Sequence, residues 1–289
     1  MRGRCSLFKQ LAHRITASQI LKVGFDLLAL AGRQAAQSLP PAVQFAGTHR
    51  WLLHPNPLGL PPPCPQFRSQ PETSLLNANS AFQKGMKTWL QCLHQHGATR
   101  AMWAYDQVTG NLDHYVFESG DTTWAAMDAH DMASNACWPT FVSAVEPHTS
   151  KAVSWVAQDM PKLSHPGAMK DMEYFYVASV KVRPGQGPDF EEALGKFAAA
   201  ADKTKWDANW DTMGIIAGGR GAADYALVWP NKSWAEMGED PSPSAKAMME
   251  HVYGKAAAAA NRKQYLAAIE HSWSSIYKYD KDLSYIPAK

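Results

Sequence analysis

The chain has 289 residues, of which 46% are hydrophobic, and a formal charge of +2 at neutral pH. That length suggests about two domains of ~100–200 residues each, and no apolar run reaches the ~18 residues a membrane-spanning helix needs, so no membrane span is expected. The charge is uneven: residues 1–71 hold eight Lys or Arg and one acid, Asp26, leaving 20 basic and 25 acidic side chains elsewhere. A mildly acidic body has little with which to neutralise phosphates, which argues against a nucleic-acid partner.

In chain order, residues 1–77 come first and read as irregular or leader-like. Patches of helical periodicity in "FKQLAHRITASQILKVGFDLLALAG" give way to the proline-rich "LPPAVQFAGTHRWLLHPNPLGLPPPCPQFRSQP", with no sustained period. Three origins stay open: a region translated but not selected for folding, a basic targeting peptide, or a genuine extension. At most a helix is expected near residues 7–37. A chain starting near Ser74 is expected to unfold at about the temperature of the whole, because scattered apolar residues do not offset the ordering entropy.

From residue 78 onward the chain repeats itself. Phe82, Met86 and Trp89 are matched by Phe190, Leu194 and Phe197, each set spaced i, i+4, i+7 along one face of an amphipathic helix. Next, "RAMWAYDQV" and "DHYVFES" read as a hairpin, as do "WDTMGII" and "DYALVWP" across the glycine turn "AGGRGAA". A capping residue then opens a second helix at Trp124 and again at Trp234, two tryptophans expected to pack. The Ala-rich "GKAAAAANRKQYLAAIEH" lengthens the second helix of the later copy, and "SKAVSWV" and "WSSIYKY" close the two copies as strands. The first repeat is placed at 78–165 and the second at 172–286. Only the second shows an opening strand, "EYFYVASVKVR", which completes a β–α–β–β–α–β order; in the first this strand is apparently missing.

The stretch "YFYVASVKVRPGQGPDFEEALGKF" resembles the opening of the dimeric α+β barrel superfamily, which includes the antibiotic-biosynthesis monooxygenase-like domains. The resemblance extends over about residues 78–286 through a generic motif. It implies an α+β fold in which two tandem ferredoxin-like units join their antiparallel sheets into a pseudo-dimeric barrel, one chain doing what a dimer usually does. Members include cofactor-independent oxygenases, haem-degrading oxygenases and isomerases. No cofactor is expected here, since no motif selects one.

In such a barrel, Tyr115 and Phe117 facing the helices would turn His114, Val116 and Glu118 into the lumen. His114 and Glu118 are the candidate catalytic pair, able to exchange a proton with a substrate. Trp103, Tyr105, Trp206 and Trp210 are candidate substrate-binding residues for a chamber wall; filling of a small barrel is the competing role. The "HQHG" at His94–Gly97, with His114 and His130 as remote additions, is compatible with a metal, but i, i+2 histidines do not share a helix face, and no metal site is expected. Cys92 and Cys137 fall on the two helices of the first repeat. A disulfide between them is geometrically feasible and would imply an exported protein; two buried thiols in a cytoplasmic protein are the alternative.

The functional expectation is a small-molecule-binding barrel, a cofactor-independent oxygenase or isomerase acting on an apolar or aromatic substrate. Its rivals are a non-catalytic binding or stress-associated protein and a structural or interaction module pairing as a homo-oligomer through a sheet edge.

Overall fold

The computed structural model describes residues 21–29, 73–128 and 132–287. Strand β1 (Leu21–Ala29) precedes helix α1 (Thr73–Gln95), the hairpin β2 (Met102–Gln107) and β3 (His114–Thr122), the single turn α2 (Trp124–Met127), α3 (Met132–Ala144) and β4 (Thr149–Asp159). The chain continues with β5 (Tyr174–Val182), α4 (Gly187–Thr204), the hairpin β6 (Asp211–Ala217) and β7 (Tyr225–Asn231), the single turn α5 (Trp234–Met237), α6 (Ala245–Tyr253), α7 (Lys255–Ala268) and β8 (Ile269–Tyr285).

The fold is α+β, with one antiparallel sheet curled into a closed barrel in the order β1-β3-β2-β8-β5-β7-β6-β4. Two seams carry the closure. At one, Tyr105 lies opposite Tyr279 on β8; at the other, Ala157 on β4 lies opposite Ile215 on β6. The long helices lie outside and bury the stripes read from the sequence. Phe82 and Met86 of α1 pack on Ala104, Tyr115, Phe117 and Leu283, and Phe190 and Leu194 of α4 pack on Val180, Tyr225 and Leu227. Each such large apolar side chain contributes about 1.5–3 kcal/mol when fully buried. The two packings share detail: Phe82 meets Tyr115 at 4.9 Å between ring centroids, and Phe190 meets Tyr225 at 4.6 Å. Each tyrosine hydroxyl is held by its helix, Tyr115 donating to Asn79 and Tyr225 to Glu191 Oε1 at 2.7 Å.

Two expectations change. Residues Leu21–Ala29 are a strand, hydrogen-bonded to both β3 and β4, and they supply the opening strand that seemed to be missing. The reason is in the segment: Leu21, Val23, Phe25 and Leu27 alternate with Lys22, Gly24 and Asp26, a period of two that the surrounding helical pattern obscured. Within the range where a helix was the expectation, residues 7–37, the described part Leu21–Ala29 is therefore strand, and the rest of that range lies outside the described residues.

The second change concerns Trp124 and Trp234, which are 41% and 48% exposed rather than buried, although the Trp234 ring still meets Tyr174 at 5.1 Å between centroids. Both begin one-turn helices that bury no residue. Their repetition marks a capping site: the Thr123 hydroxyl accepts from Ala126 N at 3.1 Å, and the Ser233 hydroxyl from Glu236 N at 3.2 Å. These bonds satisfy donors that a helix start leaves orphaned.

Where α1 crosses α3, Gly85 lets the backbones touch; a Cβ built there would lie 1.9 Å from the Ala144 carbonyl oxygen. Gly85→Ala is therefore expected to cost about 1–3 kcal/mol by overpacking, read as a fall in urea midpoint with unchanged slope. A chain beginning at Ser74 lacks β1 and exposes the edges of β3 and β4, so its Tm is expected to fall by ~10 °C or more, since each kcal/mol is worth ~2–4 °C at this size. Equal melting of the two chains in a calorimeter would refute the role given to β1.

Candidate functional site

Strand alternation divides the barrel into two chemically different faces. On β3, Tyr115 and Phe117 are 2% exposed against the helices, so His114, Val116 and Glu118 project to the other side, the lumen. Cross-strand partners share a face, and the register extends this assignment. Trp103 lies opposite Glu118, and Tyr105 opposite Val116; Tyr105 and Gln107 lie opposite Tyr279 and Tyr277; Tyr277 in turn lies opposite Phe175.

At one end of this face, Gln107 is the organising residue. Its Nε2 donates to the Thr109 carbonyl at 2.5 Å and to Ser275 Oγ at 3.1 Å, which fixes the orientation of the amide. Its Oε1 therefore faces His114, and the 2.5 Å contact to Nδ1 requires that nitrogen to be the donor. In the neutral ring Nε2 is then the lone-pair nitrogen, the one able to take a proton. Tyr277 stands beside the imidazole, 6.0 Å between centroids.

Further along the face, Tyr105 meets Phe175 edge-on at 5.2 Å and Tyr279 at 5.9 Å. Burial, then the charge of Glu118, then Tyr279 push the Tyr105 phenol well above its ordinary pKa. Tyr105 thus stays protonated and can donate a hydrogen bond. Across the lumen Ala157, Met213 and Ala226 form a buried apolar cluster, with Trp155, Val177, Ile215 and Val228 packed against it. The interior therefore has one wall bearing a histidine, a carboxylate and phenols, and another with an apolar centre, beside which Ser179 lies opposite Ala226, Asp211 opposite Val228 and Asp159 opposite Met213.

Not every anticipated residue belongs there. Trp103 and Tyr105 share the lumen face with His114 and Glu118 through register, but Trp206 and Trp210 lie in the helical layer. They cluster with Ala198 and Ala201 of α4 and Met248 and Met249 of α6. Their indole nitrogens are spent on backbone carbonyls, Trp206 on Pro243 at 2.6 Å and Trp210 on Leu163 at 2.9 Å. They sit in the connection before β6, ahead of the strand whose alternation would have turned them inward. Gln107, Tyr277 and Tyr279 were not anticipated. The i, i+2, i+4 spacing of Ser275, Tyr277 and Tyr279 in "SIYKY" was a usable signal of one strand face, but which face needed the β2–β8 register. His94 packs its ring on Tyr285 at 4.5 Å, and His130 lies outside the described residues. Among the described residues, Cys92, His96 and Cys137 gather on the outer side of the barrel, with the two cysteines joined by a disulfide.

On the helix-facing side of β2, Asp106 is poorly accommodated. Its Oδ1 is buried with no hydrogen-bond partner among the described residues. Burial, then the charge of Asp280, push its carboxyl up to about 7 despite the opposing Lys278.

No family model matches the chain, and no curated protein does. Three solved structures show a distant likeness. A provisionally named monooxygenase from Lactobacillus acidophilus NCFM is 9% identical with a TM-score of 0.45, over 94% of this chain and 99% of that one. An anthrone oxidase-like protein is 9% identical with a TM-score of 0.48, over 91% and 92%. The chlorite dismutase of Candidatus Nitrospira defluvii, in complex with imidazole, is 7% identical with a TM-score of 0.43, over 91% and 92%.

Asp106 generates a test with a definite sign. Its folded pKa of about 7 exceeds the ordinary 3.8, so between those values the folded state binds more protons, and this group's contribution to stability falls as pH rises. Asp106→Asn is expected to raise Tm by a few degrees at pH 8 and to flatten the fall between about pH 4 and 7. A melting series across that window, parallel for both proteins, would contradict the assignment.

Proposed function

We propose that the chain is a small-molecule-binding barrel, built of two tandem copies of one ferredoxin-like unit, that takes a flat apolar or aromatic substrate bearing a carbonyl or phenol oxygen and moves a proton on it without a cofactor. The tandem reading is supported by the β–α–β–β–α–β order before and after residue 165 and by the matching Phe82–Tyr115 and Phe190–Tyr225 pairs. The observation that carries the chemical reading is the Gln107–His114 hydrogen bond, which commits the imidazole to one tautomer on a face shared with Tyr105 and Glu118.

In this reading the apolar wall and the Tyr105–Phe175 pair receive the flat body of the substrate. His114 Nε2 takes a proton from carbon or oxygen, and the neutral Tyr105 hydroxyl donates to the oxygen on which negative charge grows. Glu118 acts on Tyr105, its charge helping to keep that phenol protonated. Proton removal beside a carbonyl is the step a cofactor-free isomerase and a cofactor-free oxygenase have in common, so one arrangement serves either. A second reading, a non-catalytic binding protein, is favoured by the apolar side chains that already pack together inside the barrel.

The test uses 1-tetralone as probe, with binding followed by tryptophan fluorescence and exchange of its acidic C–H protons in D2O followed by NMR. Saturable binding with accelerated exchange is expected. His114→Ala should lower the exchange rate by ~10²–10⁴, the usual contribution of a general base, with little change in affinity. Tyr105→Phe should weaken both by a smaller factor. Binding without exchange would favour the non-catalytic reading, and neither binding nor exchange would overturn the proposal.

A further inference from the structure

A second cluster lies outside the barrel, between α1 and α3. Cys92, near the end of α1, is joined by a disulfide to Cys137 in α3, with Cα atoms 5.8 Å apart. His96 follows α1 directly. Being four residues beyond Cys92, it projects from the same side of the helix. Its Nδ1 lies 3.5 Å from Cys92 Sγ, 3.5 Å from Cys137 Sγ and 3.0 Å from the Cys92 carbonyl oxygen. The three donor atoms all fall within 4.8 Å of one another; Cys137 is buried, Cys92 half-buried and His96 exposed. A disulfide accounts for the two sulfurs meeting, but not for an exposed imidazole turned equally toward both.

We propose that this is a metal site in its oxidised form: when the disulfide is reduced, Cys92 Sγ, Cys137 Sγ and His96 Nδ1 bind zinc or a similar thiophilic divalent cation. The distances fit. A tetrahedral zinc with Zn–S of about 2.3 Å and Zn–N of about 2.0–2.1 Å separates a sulfur from a nitrogen ligand by roughly 3.6 Å and two sulfurs by roughly 3.8 Å. The two sulfur–nitrogen edges already stand at 3.5 Å, so what remains is for the sulfurs to part, which side-chain rotation provides. The helices hold their places without the bond, because Leu90, Leu93, Ala98, Ala133 and Tyr285 pack around Cys137.

The chemistry balances. A phosphine reductant takes the disulfide to two thiols, becoming the phosphine oxide with oxygen from water. On binding, the two thiols release two protons to solvent, and two thiolates neutralise the dication. His96 gives up its contact with the Cys92 carbonyl, and the proton that Nδ1 donated there passes through solvent to Nε2, leaving the Nδ1 lone pair to the metal. Two thiolates and an imidazole are a donor set that suits zinc over calcium or magnesium. Three protein ligands leave the fourth tetrahedral position, on the exposed His96 side, open to water. The bonded and metal-loaded forms exclude each other, so the redox poise of the surroundings selects between them.

The experiment uses the full chain carrying Cys5→Ser and Cys64→Ser, so that Cys92 and Cys137 are its remaining cysteines. The reduced protein, freed of phosphine under anaerobic conditions, is titrated with Zn2+ by calorimetry and with Co2+ by absorption. Expected are one equivalent of metal, release of about two protons below the thiol pKa of ~8.5, a sulfur-to-cobalt charge-transfer band, and no comparable binding by the oxidised chain. His96→Ala, which leaves the disulfide and the helix packing in place, should weaken binding of the reduced chain by ~100-fold or more, beyond the ~10–100-fold typical of losing an outer-shell partner. No saturable binding by the reduced chain overturns the proposal, whether its circular dichroism is native or not. So does equal affinity in His96→Ala, or equal binding by the oxidised protein.

Discussion

Closure of the sheet is the constraint on which the rest depends. An antiparallel sheet with helices on one side leaves its other side to water unless it curls, and a curled sheet leaves edges unless they meet. Here they meet at β2–β8 and β6–β4, each joining a strand from the first part of the chain to one from the second. Strand β1 fills the gap between β3 and β4. Closure turns the concave face into an interior, and His114, Glu118 and Tyr105 share the face it encloses.

The same alternation that builds the core builds the site. Tyr115 and Phe117 are buried because α1 presents Phe82 and Met86 to them; His114 and Glu118 point the other way because they are the intervening residues. A polar lumen wall is thus tied to the helical core by the geometry of one strand, and a one-residue slip of β3 would exchange the two. Asp106, caught on the core side among Asp280 and Lys278, shows the cost of a polar residue on the wrong face of that division.

Outside the barrel, the α1–α3 contact is held in two ways, by close backbone approach at Gly85 and by the Cys92–Cys137 bond farther along α1. The first needs a residue without a side chain. The second brings His96 beside two sulfurs at the point where the helix ends, its Cys92, Leu93 and His94 carbonyls capped by the N–H groups of His96, Ala98 and Gly97. The pairing is specific to this helix pair, because α4 and α6 have no cysteine and meet instead through Ala198, Ala201, Met248 and Met249.

Much of this was legible in the chain. The i, i+4, i+7 stripes at Phe82 and Phe190, the glycine-marked hairpin around Arg220, the caps at Thr123 and Ser233 and the inward turn of His114 follow from local periodicity and backbone chemistry, which neighbouring residues encode by themselves. Tertiary structure decided what depends on residues far apart in sequence. Leu21–Ala29 carries the alternation of a strand but needed β3 and β4 on either side to become one. Trp206 and Trp210 have the composition of a chamber wall, yet α4 and α6 claim them, and Trp124 and Trp234 have the composition of a core, yet a one-turn helix has no face to bury. The fixed tautomer of His114 depends on Gln107, and Gln107 on Thr109 and Ser275; His96 acquires its meaning from Cys137, 41 residues away. Spacing along the chain specifies which way a side chain points, and only the closed fold specifies what it meets.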